Sequence, residues 1–241
     1  SKYHGLEWNQ SRRGRFIDCV FSGEYSGGSG SWVQFDIGAS GPKSTAVTGV
    51  ATLDVIFDRC RFEQRPATDS SFRDIGLAHT STFTVDGVKF IDCELTGRNV
   101  SGSIILAVDS AQTGASVDNI QLVRCKLITA HQDAFAIFHA VPFTGSGSAR
   151  NWLVDDCVFT GSSKVPVRWG GSSSATVTGH DARRNFVMRG CRIEVNPSAW
   201  TSAGTAIGAL FYALGDCTIR GNTVRFINDI PAAATTIAIQ M

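Results

Sequence analysis

Six residues of this 241-residue chain combine useful chemistry with one shared setting: Asp36, His79, Asp109, His139, Arg168 and Tyr212. Each directly follows an apolar residue at the end of a short apolar segment. If those segments are stacked parallel strands, successive members lie about 4.8 Å apart, and Asp109 falls between His79 and His139. A carboxylate between two imidazoles favours the charged form of both and can support general acid–base catalysis. Asp36 and Asp109, two rungs apart, would stand about 9–10 Å from each other, at the outer limit for an inverting glycosidase pair. Arg168 presents the planar fork that grips a carboxylate through two hydrogen bonds. Trp32 and Trp169 offer broad apolar faces with a polar edge, suited to stacking on a sugar ring. The candidate catalytic residues are therefore Asp36, His79, Asp109 and His139, and the candidate substrate-binding residues are Arg168, Tyr212, Trp169 and Trp32. The competing reading is a plain charge ladder of strand-end polar residues.

Other groups carry less. Trp200 could stack on a sugar in the same way as Trp32. His131-Gln132-Asp133 and His180-Asp181 read as loop hydrogen-bonding clusters. Asp155-Asp156 reads as a turn, with no further oxygen ligands in view for calcium. No Walker loop, dinucleotide fingerprint or paired Cys-x-x-Cys occurs, so neither a cofactor nor a metal is expected.

The elements that must position these residues come from a repeat. Cys19, Cys60, Cys93, Cys125, Cys157, Cys191 and then Asn222 mark seven copies, spaced 31 to 41 residues apart. With that mark as position zero, position −3 holds Phe16, Phe57, Phe90, Leu122, Val154, Met188 and Ile219. Position +2 holds Phe21, Phe62, Leu95, Leu127, Phe159, Ile193 and Val224, and position −5 is mostly apolar as well. Apolar alternation of period two runs up to a turn at −2 and −1, then resumes with the opposite offset. The chain has turned a corner while keeping one side buried. A supersecondary unit repeated at this period is the signature of a solenoid. Parallel crossovers predict a right-handed coil. Each corner is followed by a Gly/Ser-rich connector, a second apolar segment and a return loop.

These columns resemble the apolar-x-apolar-x-x-Asn/Cys-x-apolar corner of right-handed parallel β-helix proteins: pectate lyases, polygalacturonases, alginate epimerases and lyases, and bacteriophage tailspikes. The resemblance runs from Gly14 to at least Val224. It implies an all-β, single-stranded right-handed parallel β-helix of about seven coils, with residues 1–241 as one domain. Among these families the chain looks most like a tailspike or tail-fibre domain. That likeness implies binding of bacterial surface polysaccharide, with its degradation as an open alternative, a homotrimer, and a place on the virion surface or outside the cell. A pectate-lyase-like lyase, hydrolase or epimerase is the alternative, and a structural spacer or adhesin stalk is the second. The chain departs from pectate lyases in lacking their consecutive-rung aspartate cluster. It departs from polygalacturonases in lacking Asn-x-Asp and Gly-x-Asp-Asp.

Composition sets bounds. A net charge of +1 argues against nucleic-acid and anionic-membrane partners. No apolar run reaches the roughly 18–20 residues of a membrane span. Six of the seven cysteines fall in the inward column, where parallel side chains about 4.8 Å apart do not converge as a disulfide requires. They are expected as buried, unpaired thiols that fill the core. The last repeat reaches Met241 without the polar cap that solenoids need, which predicts a fragment of a longer chain or capping by a partner.

Overall fold

The computed structural model describes residues 4–7, 12–23, 31–34, 52–64, 73–76, 84–97, 103–106, 116–139, 148–169, 184–201, 205–211, 216–228 and 235–240. These form an all-β parallel solenoid. The first corner sheet stacks Arg15–Ile17, Ile56–Asp58, Lys89–Ile91, Gln121–Val123, Trp152–Asp155, Phe186–Arg189 and Cys217–Arg220. The second stacks Val20–Gly23, Arg61–Gln64, Glu94–Gly97, Lys126–Thr129, Val158–Gly161, Arg192–Val195 and Thr223–Phe226. A flank sheet of eight strands holds the second apolar segments, among them Ser31–Gln34, Phe135–His139, Val167–Trp169 and Thr205–Phe211. A short fourth sheet joins Thr52–Leu53, Thr84–Asp86 and Ser116–Asp118. The stretch in which all four sheets run together covers about three turns.

The register follows the apolar columns. Phe57 pairs with Phe90, Phe90 with Leu122, and Leu122 with Val154, all in parallel. Parallel in-register stacking puts like on like at the inter-strand spacing. Phe16 lies on Phe57 and Phe21 on Phe62, each pair with ring centroids 4.8 Å apart. Position −5 (Val55, Val88, Ile120, Trp152, Phe186) is buried, as are Phe62, Leu95, Leu127, Phe159 and Ile193 at +2. Cys60, Cys93, Cys125, Cys157 and Cys191 are buried and unpaired, while Cys19 on the first rung is half-buried.

The corner itself is a left-handed residue at position −1. Asp18, Arg59, Asp92, Arg124 and Asp156 have φ of 51–52°, and Gly190 and Gly221 have 64°. That region is costly for residues with a side chain, and the stack holds it in place. The Asp18, Arg59, Asp92, Arg124 and Asp156 N–H groups each donate to a carbonyl on the next coil at 2.9–3.0 Å. The hydrogen-bond ladder thus continues through the bend at position −1.

The flank sheet differs. Ala136 and Ile137 are both buried, and so are Pro166 and Val167. The Ala136 and Ile137 N–H groups both donate to the Pro166 carbonyl, at 2.7 and 3.1 Å, so two residues oppose one and the in–out alternation is interrupted at this rung.

Candidate functional site

Of the residues singled out by chemistry, Asp36, His79, Asp109 and Tyr212 lie outside the described residues, as does His180-Asp181. Trp32 lies in the strand Ser31–Gln34, and His139 ends the strand Phe135–His139. Register decides how the remaining members relate. His139 pairs with Trp169 and then Phe211, whereas Arg168 pairs with Phe138 and Leu210. Counting one residue per coil puts Arg168 level with His139. The strands place them one residue apart, because the connectors before each flank strand differ in length.

Alternation then sends Trp169 inward. Its indole is 0% exposed, 4.4 Å from the Trp152 ring centroid and 4.8 Å from that of Phe186. It has no face to offer a sugar and is a core residue. Arg168 is half-buried, its guanidinium 5.8 Å from the Phe135 ring centroid, a cation–π distance.

The loop cluster at residues 131–133 is a tie between coils. Gln132 is buried; its Oε1 accepts from the Thr201 N–H at 2.9 Å and its Nε2 donates to the Thr201 hydroxyl at 3.1 Å. The Asp133 N–H donates to His131 Nδ1 at 3.2 Å. The Trp200 Nε1 donates to the Ser162 carbonyl at 2.7 Å, with the Lys164 ammonium 5.6 Å from the ring centroid. Among the described residues, no group of His, Cys, Asp and Glu could hold a metal ion.

A second left-handed corner, at position −6, escaped the reading of the sequence. Arg13, Asp54, Gly87, Asn119, Asn151 and Asn185 have φ between 55° and 76°. Asn and Asp tolerate this region because their short polar side chains bond locally. Here they bond along the axis instead. The Asn185 Nδ2 donates to Asn151 Oδ1 at 2.9 Å, the Asn151 Nδ2 to Asn119 Oδ1 at 2.9 Å, and the Asn119 Nδ2 to Asp86 Oδ1 at 2.5 Å. The signal was present in the sequence as a column of turn-forming residues one place upstream of the apolar position −5.

Beside this amide ladder lies a shallow depression of about 430 Å³ lined by Arg150, Asn151, Arg184 and Asn185. The two arginines sit on successive rungs, since the Asn151 N–H donates to the Arg184 carbonyl at 3.0 Å and the Asn119 N–H to that of Arg150 at 2.9 Å. The neighbouring carboxylate, Asp118, is already engaged. It accepts from the Ser148 hydroxyl at 2.8 and 3.0 Å and from the Arg150 N–H at 2.7 Å. Arg150 is exposed and, among the described residues, forms no ion pair.

The −1 corner is electrostatically different. Arg59 bonds Asp18 at 2.8 Å and Arg124 bonds Asp92 at 2.7 Å between −1 residues, and Arg189 bonds Asp155 at 2.7 Å one place before the corner, each across one rung. The Arg59, Arg124 and Arg189 guanidiniums hold the Asp18, Asp92 and Asp155 carboxyls below the usual carboxylate range. Arginine there is matched by the chain's own acids. No family model, curated protein or solved structure matches this chain.

Proposed function

We propose that the protein is a tailspike-type β-solenoid that binds bacterial surface polysaccharide along its −6 corner. The supporting observation is the depression of Arg150, Asn151, Arg184 and Asn185 on an exposed, hydrogen-bonded ladder. A polysaccharide is a repeating polymer rich in hydroxyl donors and acceptors. A solenoid edge presents repeating polar groups at about 4.8 Å intervals, held rigid by the sheets beneath, which reduces the ordering cost of binding. In this reading the protein works as a homotrimer on a virion surface or outside a cell. The residues Asp36, His79, Asp109 and His139, if they converge, add cleavage to binding.

The test is a panel of bacterial surface glycans scored in parallel for affinity and for new reducing or unsaturated ends. Binding to at least one glycan is expected, weakened by Arg150→Gln. New ends that disappear in Asp109→Asn and His139→Ala would add the enzymatic activity. Absence of binding to every glycan would overturn the proposal. Light scattering on the purified protein reads the trimer directly as three times the 25.8 kDa chain mass.

A further inference from the structure

The first corner sheet has seven strands, and Gln121–Val123 is the middle one. Positions −4 and −2 face outward on each rung, on either side of the inward position −3. Every rung from the first to the sixth carries one aliphatic side chain on that outer face: Ile17, Ile56, Ile91, Val123, Leu153 and Val187. Ile17 is exposed and the other five are half-buried. Aliphatic residues repeated along a sheet face are what a packed sheet presents to its neighbour.

The charges on the same face say which neighbour fits. Asp58 and Lys89 stand on the second and third rungs, Asp155 and Arg189 on the fifth and sixth, with uncharged Gln121 and Val123 between. Along the axis the signs run minus, plus, none, minus, plus. Reversing that order inverts every sign. A second strip turned end for end therefore sets acid against base on all four charged rungs. The outermost rungs bring Arg15 towards Arg220, both exposed to solvent, where repulsion is screened. Arg15 also holds Asp58 at 3.3 Å.

We infer that this face docks a second copy of the chain, turned end for end about a twofold axis through the middle rung. Aligned strands and reversed rungs lay each column over its own counterpart. Asp58 faces the second copy's Arg189, Ile56 faces its Val187, and Val123 faces its Val123 across the axis. Lys89 lays its stem on the second copy's Leu153 and carries its ammonium towards Asp155 of that copy. With the rungs level instead, each of the six aliphatic residues would face the polar residue of its own rung, and that burial is costly. Strands only three or four residues long keep the contact narrow, so the pairing belongs with the small, weak interfaces. The inference goes beyond the polysaccharide reading, whose site lies on the −6 corner.

Sedimentation velocity of the purified chain over a concentration series reads the pairing. An even number of 25.8 kDa chains is expected, dissociating on dilution and more readily in about 0.5 M salt. Val123→Lys and Val123→Glu, each with an unchanged far-UV CD spectrum, should each raise the dissociation constant about tenfold or more, because each sets like charges across the axis. An equimolar mixture of the two should pair again, which requires residue 123 to meet itself. A single chain or three chains at every concentration, parent-like pairing in both variants, or a mixture that stays unpaired would each overturn the inference. Three chains that bind a glycan would leave the polysaccharide reading standing. Pairing without any glycan bound would keep this face and remove that reading, and two chains in place of six would keep this face and replace the homotrimer.

Discussion

Cys191 and Asn222 fill successive rungs of one column and reach equivalent acceptors. The Cys191 thiol points at the Val154 carbonyl at 3.5 Å, and the Asn222 Nδ2 donates to the Met188 carbonyl, one coil on, at 2.9 Å. Asparagine adds a second bond, its Oδ1 accepting from the Cys191 N–H at 2.8 Å. Cys191→Asn should therefore fold, with two amide hydrogen bonds of about 0.5–1.5 kcal/mol each offsetting lost thiol packing. Its melting temperature should stay within about 3 °C of the parent; a drop of about 10 °C would refute the equivalence. Burial pushes the Cys60 thiol up in pKa, and Cys93 is pushed up by its neighbour Cys125 and by burial. Hydrogen bonds from neighbouring thiols lower Cys125 and Cys191 instead, so the inertness expected of the ladder in the folded protein rests on its burial. A thiol reagent should label the exposed Cys217 at once, the half-buried Cys19 slowly, and the other five only on denaturation. Prompt native labelling of Cys93 or Cys125 would contradict a sealed core.

Within the elements, glycine matters where the backbone leaves no alternative. Gly161 ends the strand Val158–Gly161 with φ +120°, and a Cβ there would sit 2.0 Å from the Thr129 carbonyl oxygen. Gly190, at the −1 corner with φ +64°, has only ordinary contacts at 3.9 Å around a Cβ position. Five other corners place Asp or Arg at that conformation. Gly161→Ala should cost about 1–3 kcal/mol in backbone strain alone, with the clash adding to it. Gly190→Asn should be close to neutral. Urea unfolding of the two variants separates them, and equal losses would count against the corner geometry.

At the scale of the whole molecule, cross-rung ion pairs tie coil to coil on the outside while the apolar columns do so inside. Asp18, Asp92 and Asp155 have carboxyls held below the ordinary value of 3.8 by Arg59, Arg124 and Arg189. A carboxyl whose pKa is lower folded than unfolded stabilises the fold above the unfolded value. It loses that contribution as pH falls through the folded value. Melting temperature should thus be flat above about pH 5 and fall below about pH 4. These pairs are exposed, so about 0.5 M salt should shrink the effect. Arg124→Gln should show a shallower acid loss than the parent, because Asp92 then has a nearly ordinary pKa; an identical slope in parent and variant would refute the assignment.

The sequence by itself determined the parallel solenoid, the inward columns at −5, −3, 0 and +2, and the unpaired thiols. Those features depend on fixed short spacings across one tight corner, so the pattern of apolar residues specifies which side faces in. The relative level of the flank strands was left to the tertiary structure, because connectors of variable length separate them from the corner. A one-residue slip there exchanges inside for outside. That slip separates Arg168 from the level of His139 and sends Trp169 into the core against Trp152. Tertiary structure also decided the amide ladder. Asn119, Asn151 and Asn185 lie 32 and 34 residues apart in sequence, and only stacking through parallel pairing makes them neighbours. The depression between Arg150 and Arg184 exists for the same reason: its charge density is a property of two adjacent rungs and of neither segment alone.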